Sequence, residues 1–163
     1  MNNMIGSIIS GTMRQDDLIP AFLDELEILD EAQHDALCEE VAGILWRNGE
    51  DWDDDEICMF LNEDLWDAMM DHAPEFCYFG AHPGDGSDYG FWVDHDGLAE
   101  SIRYGYEDEA TRHRAIVFAL DNDIMDEVLD DVAWSVAWDK PRRDDHVATD
   151  HVDDEEEVYA LAA

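Results

Sequence analysis

Apolar residues recur along the first half of the chain at the spacing of helices that bury one face. Leu18, Phe22, Leu26 and Leu29 follow one another at steps of three and four, which predicts a first helix. Asp16 and Asp17 stand where an N-cap is expected, and Pro20 fits a first turn. Asp30 is placed to cap a second helix with Leu37, Val41, Ile44 and Leu45 on its inner face, and Asn48-Gly49 ends it. A third helix is predicted from about Asp53 to His72, stopped by Ala73-Pro74. Its apolar stripe is Ile57, Leu61, Leu65, Ala68 and Met69. Stepping by about 100° per residue puts Asp53, Glu56, Glu63, Asp64, Asp67 and Asp71 on the opposite side. Phe60 falls among those acids, with Met59, Trp66 and Met70 flanking them.

The period then changes. Phe76-Cys77-Tyr78-Phe79-Gly80 and Tyr89-Gly90-Phe91-Trp92-Val93 are aromatic-rich runs on either side of His82-Pro83-Gly84-Asp85-Gly86-Ser87-Asp88. They predict a hairpin with a long glycine-rich loop. A short helix is expected from Asp96 to Tyr104, and buried strands at Ala115–Leu120 and Val132–Trp138. Asp123 to Asp131 reads as a helical turn or a long loop, and Asp150 to Glu157 is an acid run. No internal repeat is present. The expected class is α+β: three N-terminal amphipathic helices packed on a small antiparallel sheet. Residues 1–139 form one expected domain, and 140–163 an acidic, mobile C-terminal tail.

Composition sharpens this picture. Nearly half of the 163 residues are apolar, six of them Trp and six Phe, so the chain has the aromatic content to offset the entropy of ordering. Against this stand 44 acids and eight bases, a formal net charge of −36. Self-repulsion on that scale opposes a compact state. Between Arg47 and Arg103 no Lys or Arg interrupts the negative field, whereas an ordinary surface intersperses its signs. A duplex carries one phosphate per ~1.7 Å of axis, so 36 charges correspond to roughly 60 Å, or about 18 base pairs. Half of them on one face still correspond to about nine.

The sign of the charge excludes direct binding to nucleic acid and disfavours an anionic membrane surface. No run of apolar residues is long enough to span a bilayer, and Met1-Asn2-Asn3-Met4 lacks the basic start of a signal peptide. Cys38, Cys58 and Cys77 are odd in number and lack Cys-x-x-Cys spacing, so they read as buried thiols of a reducing compartment. The expected location is the cytoplasm of a bacterial host.

Candidate chemistry is sparse. Asp51-x-Asp53-x-Asp55 opens like a calcium loop, but Glu56 stands where Gly is required and Asn62 where a bidentate Glu belongs. His82, Asp85, Asp88 and His95 are placed to converge on a metal or an acid–base site, although Pro, Gly and Asp there also make a turn. No catalytic signature is found, so neither an enzyme nor a cofactor or metal is expected. Trp46, Trp52, Trp66 and Trp92 are expected in the core rather than on a binding surface, although one or two exposed near carboxylates would serve to anchor a partner.

What remains is an ordered carboxylate surface offered to a basic DNA- or RNA-binding host protein. Its expected members are Asp51, Asp53, Asp54, Glu56, Glu63, Asp64, Asp67, Asp71, Asp85, Asp88, Asp94 and Asp96. A homodimer would lengthen the imitated duplex. Two alternatives stand beside this one. An acidic adaptor would bind through the aromatic hairpin, at Phe91 or Trp92. A salt-adapted protein would explain why Asp outnumbers Glu by 28 to 16 and Arg outnumbers Lys by seven to one.

The stretch from Tyr78 through His82-Pro83-Gly84-Asp85-Gly86-Ser87-Asp88 to Trp92, with Asp17-Leu18-Ile19-Pro20-Ala21-Phe22 before it, resembles small acidic phage-encoded proteins of unassigned function. The likeness covers residues 12–104 and implies no activity. In size and charge the chain is similar to phage and plasmid DNA mimics such as the Ocr and ArdA antirestriction proteins and acidic anti-CRISPRs. The terminal Tyr159-Ala160-Leu161-Ala162-Ala163 resembles the end of the bacterial tmRNA-encoded tag. That resemblance implies recognition of Leu161, Ala162 and Ala163 by a Clp-type protease.

Overall fold

The computed structural model describes residues 5–104 and 108–130. In chain order it contains β1 (Gly6–Ser10), α1 (Gln15–Leu29), α2 (Glu31–Asn48), α3 (Asp55–Phe60), a π-helical turn (Leu61–Leu65) and α4 (Trp66–Asp71). β2 (Cys77–His82), β3 (Asp85–Val93), α5 (His95–Tyr104) and α6 (Glu109–Asp121) follow, and residues 125–130 are again helical. Helices and a three-stranded antiparallel sheet make the fold mixed, as the α+β expectation has it. The expected strand at 132–138, the acid run at 150–157 and Leu161–Ala163 lie outside the described residues.

Among the described residues a strand precedes the first helix. Gly6–Ser10, with Ile8 and Ile9, forms β1, which pairs with β3 and makes it the central strand in the order β1-β3-β2. Gly90 pairs with Ser7 on one side and Gly80 on the other. A Cβ on Gly90 would collide with the Gly6 carbonyl and come within 2.9 Å of the Ser7 Cα, so the close approach of β1 requires glycine there. The hairpin loop is far shorter than the glycine spacing suggests. Only Pro83 and Gly84 lie between the strands, because His82 already pairs with Asp85.

Helix α1 begins earlier than expected, so its acids are not caps. Arg14 holds the N-cap position without a side-chain cap, and its carbonyl accepts the Leu18 amide at 2.9 Å. Asp16 takes the Arg14 guanidinium at 2.6 Å, and Asp17 accepts the Thr12 hydroxyl at 2.6 Å. Pro20 therefore sits in the second turn. Helix α2 follows its pattern: Asp30 accepts the Ala32 and Gln33 amides, and Gly49 closes the helix in the left-handed region at φ 78°.

The predicted third helix is interrupted. Its stripe Ile57, Leu61, Leu65, Ala68 and Met69 is buried as expected, but Phe60 is buried with it rather than lying among the acids. The π-helical turn accommodates an extra residue, which rotates α3 relative to α4. Asn62 donates its side-chain amide to the Cys58 carbonyl at 2.7 Å within this turn.

The main core lies between these helices and one face of the sheet. The Phe22 and Phe79 rings meet edge to face at 4.9 Å, Trp66 meets Phe79 at 4.9 Å, and Phe91 stands 5.5 Å from Phe79. A second, smaller core joins Leu98, Ala99 and Ile102 of α5 to Ala115 and Ala119 of α6 and to Val128. The expected strand at Ala115–Leu120 is thus part of a helix. Asp108 caps it through the Ala110 and Thr111 amides, and the small residues four apart let α6 close on α5. The cysteines are not the buried thiols expected: Cys58 is exposed, and Cys38 and Cys77 are half-buried.

Candidate functional site

The acids of the third helical run keep to its outer side because its inner side is filled by the stripe and Phe60. Of the twelve acids predicted to bind a partner, ten are exposed, and Asp54 and Asp88 are half-buried. Among the described residues only one of the twelve is in an ion pair, Glu56 with Arg47 at 3.0 Å. None of the described carboxylates is buried.

Four of the twelve accept a nearby backbone amide, and a fifth bonds a side chain of another strand. Asp51 accepts the Asp53 amide at 3.0 Å, and Asp54 caps α3 through the Glu56 amide at 2.8 Å. Asp85 accepts the Ser87 amide and hydroxyl, and those bonds hold its carboxyl below the ordinary aspartate value. Asp88 accepts the Ser7 hydroxyl, and Asp94 accepts the Gly97 amide at 3.0 Å at the start of α5. By contrast, Asp53, Glu63, Asp64, Asp67, Asp71 and Asp96 make no side-chain hydrogen bond or ion pair among the described residues.

The structure gathers one part of the predicted set and leaves another apart. Glu56, Glu63 and Asp64 line a cleft of about 440 Å³ between α2 and the α3–π segment. Asp85, Asp88, Asp94 and Asp96 do not line it; they belong to the sheet hairpin and the start of α5. Across the cleft stand Glu39 and Glu40 of α2, which the sequence reasoning missed. Ile44 and Phe60 also line it, as does Met59, which is 57% exposed. Glu39 and Glu40 lie off the apolar stripe of α2, but nothing local in sequence says that this flank meets α3.

The candidate convergence of His82, Asp85, Asp88 and His95 does not form among the described residues. His82 accepts the Gly84 amide and lies edge-on to Trp92, Asp85 serves the turn, Asp88 accepts the Ser7 hydroxyl of β1, and His95 faces Glu127 at 4.0 Å. Among the described residues no three His, Cys, Asp or Glu side chains are grouped to hold a metal ion. No described helix is long and apolar enough to cross a membrane.

The aromatic residues are redistributed as well. Phe91 is fully buried, so it has no surface to offer a partner, while Trp92 is half-buried and donates its indole N–H to the Gly80 carbonyl at 2.9 Å. Trp46, expected in the core, is 87% exposed. Its position was legible: it lies nine residues after Leu37, about half a turn from that stripe at 100° per residue. No protein-family model, curated protein or solved structure matches the chain.

Proposed function

We propose that this protein is a DNA-mimic inhibitor, carried by a phage or mobile element, that occupies the nucleic-acid groove of a host defence enzyme such as a CRISPR effector or a restriction system. The observation that carries this reading is the state of Glu63, Asp64, Asp67 and Asp71. All four are exposed on one helical run, and no cation of the described chain pairs with them. Helix positions three and four apart set carboxylates about 5–6 Å apart at Cβ, on the scale of neighbouring phosphates. Like charges at such spacing destabilise a helix, so their retention is explained by a partner that supplies the missing cations. The carboxylates of the α2–α3 cleft extend that surface sideways. Such a field also steers a basic partner into encounter.

The test is capture from bacterial lysate at low salt, with elution by a salt gradient and by duplex DNA. Retained partners are expected to be nucleic-acid-binding proteins, released by duplex and by salt between about 50 and 200 mM. The double reversal Glu63→Lys with Asp67→Lys should abolish their capture. Partners that ignore duplex DNA, or that bind the reversed protein equally well, would overturn the reading.

A second reading, salt adaptation, draws on a different observation. Exposed acids also occupy α1 and α2, at Asp17, Asp24, Glu27, Glu31 and Asp35, away from the cleft. A surface acidic on many sides suits hydration in concentrated salt, and the two readings part at low ionic strength.

A further inference from the structure

The second flank of α2 carries a cleft of different character. Ala42, Leu45, Trp46, Glu50 and Trp52 line a space of about 330 Å³. Two indoles and one carboxylate dominate its wall. Trp46 is the most exposed of the large apolar side chains described, and among the described residues no hydrogen bond or ring contact holds it. The backbone that carries the carboxylate is fixed by the helix end: after Gly49 the chain stays left-handed at Glu50, φ 64°, and the Glu50 amide closes on the Leu45 carbonyl at 2.8 Å.

The charge around this cleft is one-sided. From Glu39 to Glu56 the chain carries eight acids and a single base, Arg47. Arg47 does not line the Trp cleft; it turns to the opposite flank of α2 and pairs with Glu56. An apolar wall of Trp inside a negative field, without a cation of its own, is complementary to a cation with a flat, weakly hydrated face. Guanidinium meets that description better than ammonium, because it stacks on an indole while its edge bonds a carboxylate.

We propose that the Trp46–Trp52 cleft anchors this protein on its partner by receiving an arginine side chain, with the indoles as the stacking surface and Glu50 as the counter-ion. The identity of the partner as a basic protein rests on the mimic reading above. The anchor adds what carboxylates alone lack, a short-range preference for arginine over lysine. It also explains an exposed Trp in a chain that buries Phe22, Phe60, Phe79 and Phe91.

The test uses the full chain labelled with ¹⁵N at its indoles, titrated with hexa-arginine and, separately, hexa-lysine at about 150 mM NaCl, an ionic strength that screens exposed charges beyond about 8 Å. Hexa-arginine is expected to shift the Trp46 and Trp52 indole signals saturably. Trp46→Ala should weaken its binding about tenfold and change that of hexa-lysine less than about twofold. Alanine is a strong helix former, so the variant retains α2, and Trp46→Phe should restore part of the affinity. Equal loss for both peptides, or loss for neither, would overturn the anchor. If duplex DNA still displaces the captured partners while arginine selectivity is absent, the anchor falls and the mimic reading stands. If selectivity is present but the partners ignore duplex, the arginine site stands on a protein of another function.

Discussion

Phe60 and Met69 share one core because the π-helical turn between them takes up one residue. Nine residues apart in a regular α-helix, the two would point about 180° from each other; eight apart, the difference is about 80°. Glu63 and Asp64 belong to the same turn and line the α2–α3 cleft, so one local feature takes part in both the core packing and the acidic surface.

Shortening that turn by its exposed residue should therefore be mild. Deleting Asn62 turns the segment into a continuous α-helix that keeps Phe60 and Met69 inward, and is expected to cost no more than about 1–2 kcal/mol. Inserting an alanine after Asn62 adds a further residue, turns α3 and α4 out of register, and should cost at least about 3 kcal/mol. Urea denaturation of both variants checks the difference. A deletion as damaging as the insertion would refute this account of the turn.

At Gly90 the sheet tolerates no side chain, whereas Gly86, in the same strand, faces open space. Gly90→Ala is expected to lose about 2–3 kcal/mol or more by forcing β1 away from β3. Gly86→Ala should stay within about 0.5 kcal/mol of the parent. Thermal unfolding followed by circular dichroism measures both, and equal stabilities would contradict the β1–β3 pairing.

The thiols should differ in reactivity. Burial, with the Asp94 charge adding to it, pushes the Cys77 thiol up from its ordinary 9.0 to about 11, and burial likewise raises Cys38. Cys58 is exposed. Iodoacetamide at about pH 8 should label Cys58 first and Cys77 last, as read by peptide mass spectrometry. A raised acid pKa in the folded state means that the unfolded chain releases the proton first. The contribution of Cys77 is therefore fully present below pH 9.0 and is lost as pH rises from there to about 11. At the acid end the sign reverses: hydrogen bonds hold Asp85 and Asp108 below 3.8, so their contribution is lost as pH falls through that region. A Cys77→Ala variant with an unchanged alkaline limb would remove this thiol from the account.

Low ionic strength separates the two functional readings. With none of the described carboxylates buried and an aromatic core across helices and sheet, the fold is expected to keep its helical circular dichroism at about 20 mM salt. A chain that unfolds there and regains structure only in molar KCl would favour salt adaptation over mimicry.

The amphipathic stripes of α1, α2 and the third helical run, the Asp30 and Gly49 caps, the aromatic hairpin and the excess of carboxylates were all determined by local sequence, because each depends on spacing of a few residues or on composition. Only tertiary structure decided the rest. Gly6–Ser10 became a strand because β3 offered it a free edge, and Ala115–Leu120 became helix because Ala115 and Ala119 could close on α5. Glu39 and Glu40 joined Glu56, Glu63 and Asp64 because two helices distant in sequence pack side by side. Trp46 stayed outside because the stripe of α2 had already claimed the core-facing side. A periodicity says which side of an element is apolar, whereas the partner that covers that side is chosen by packing across the whole chain.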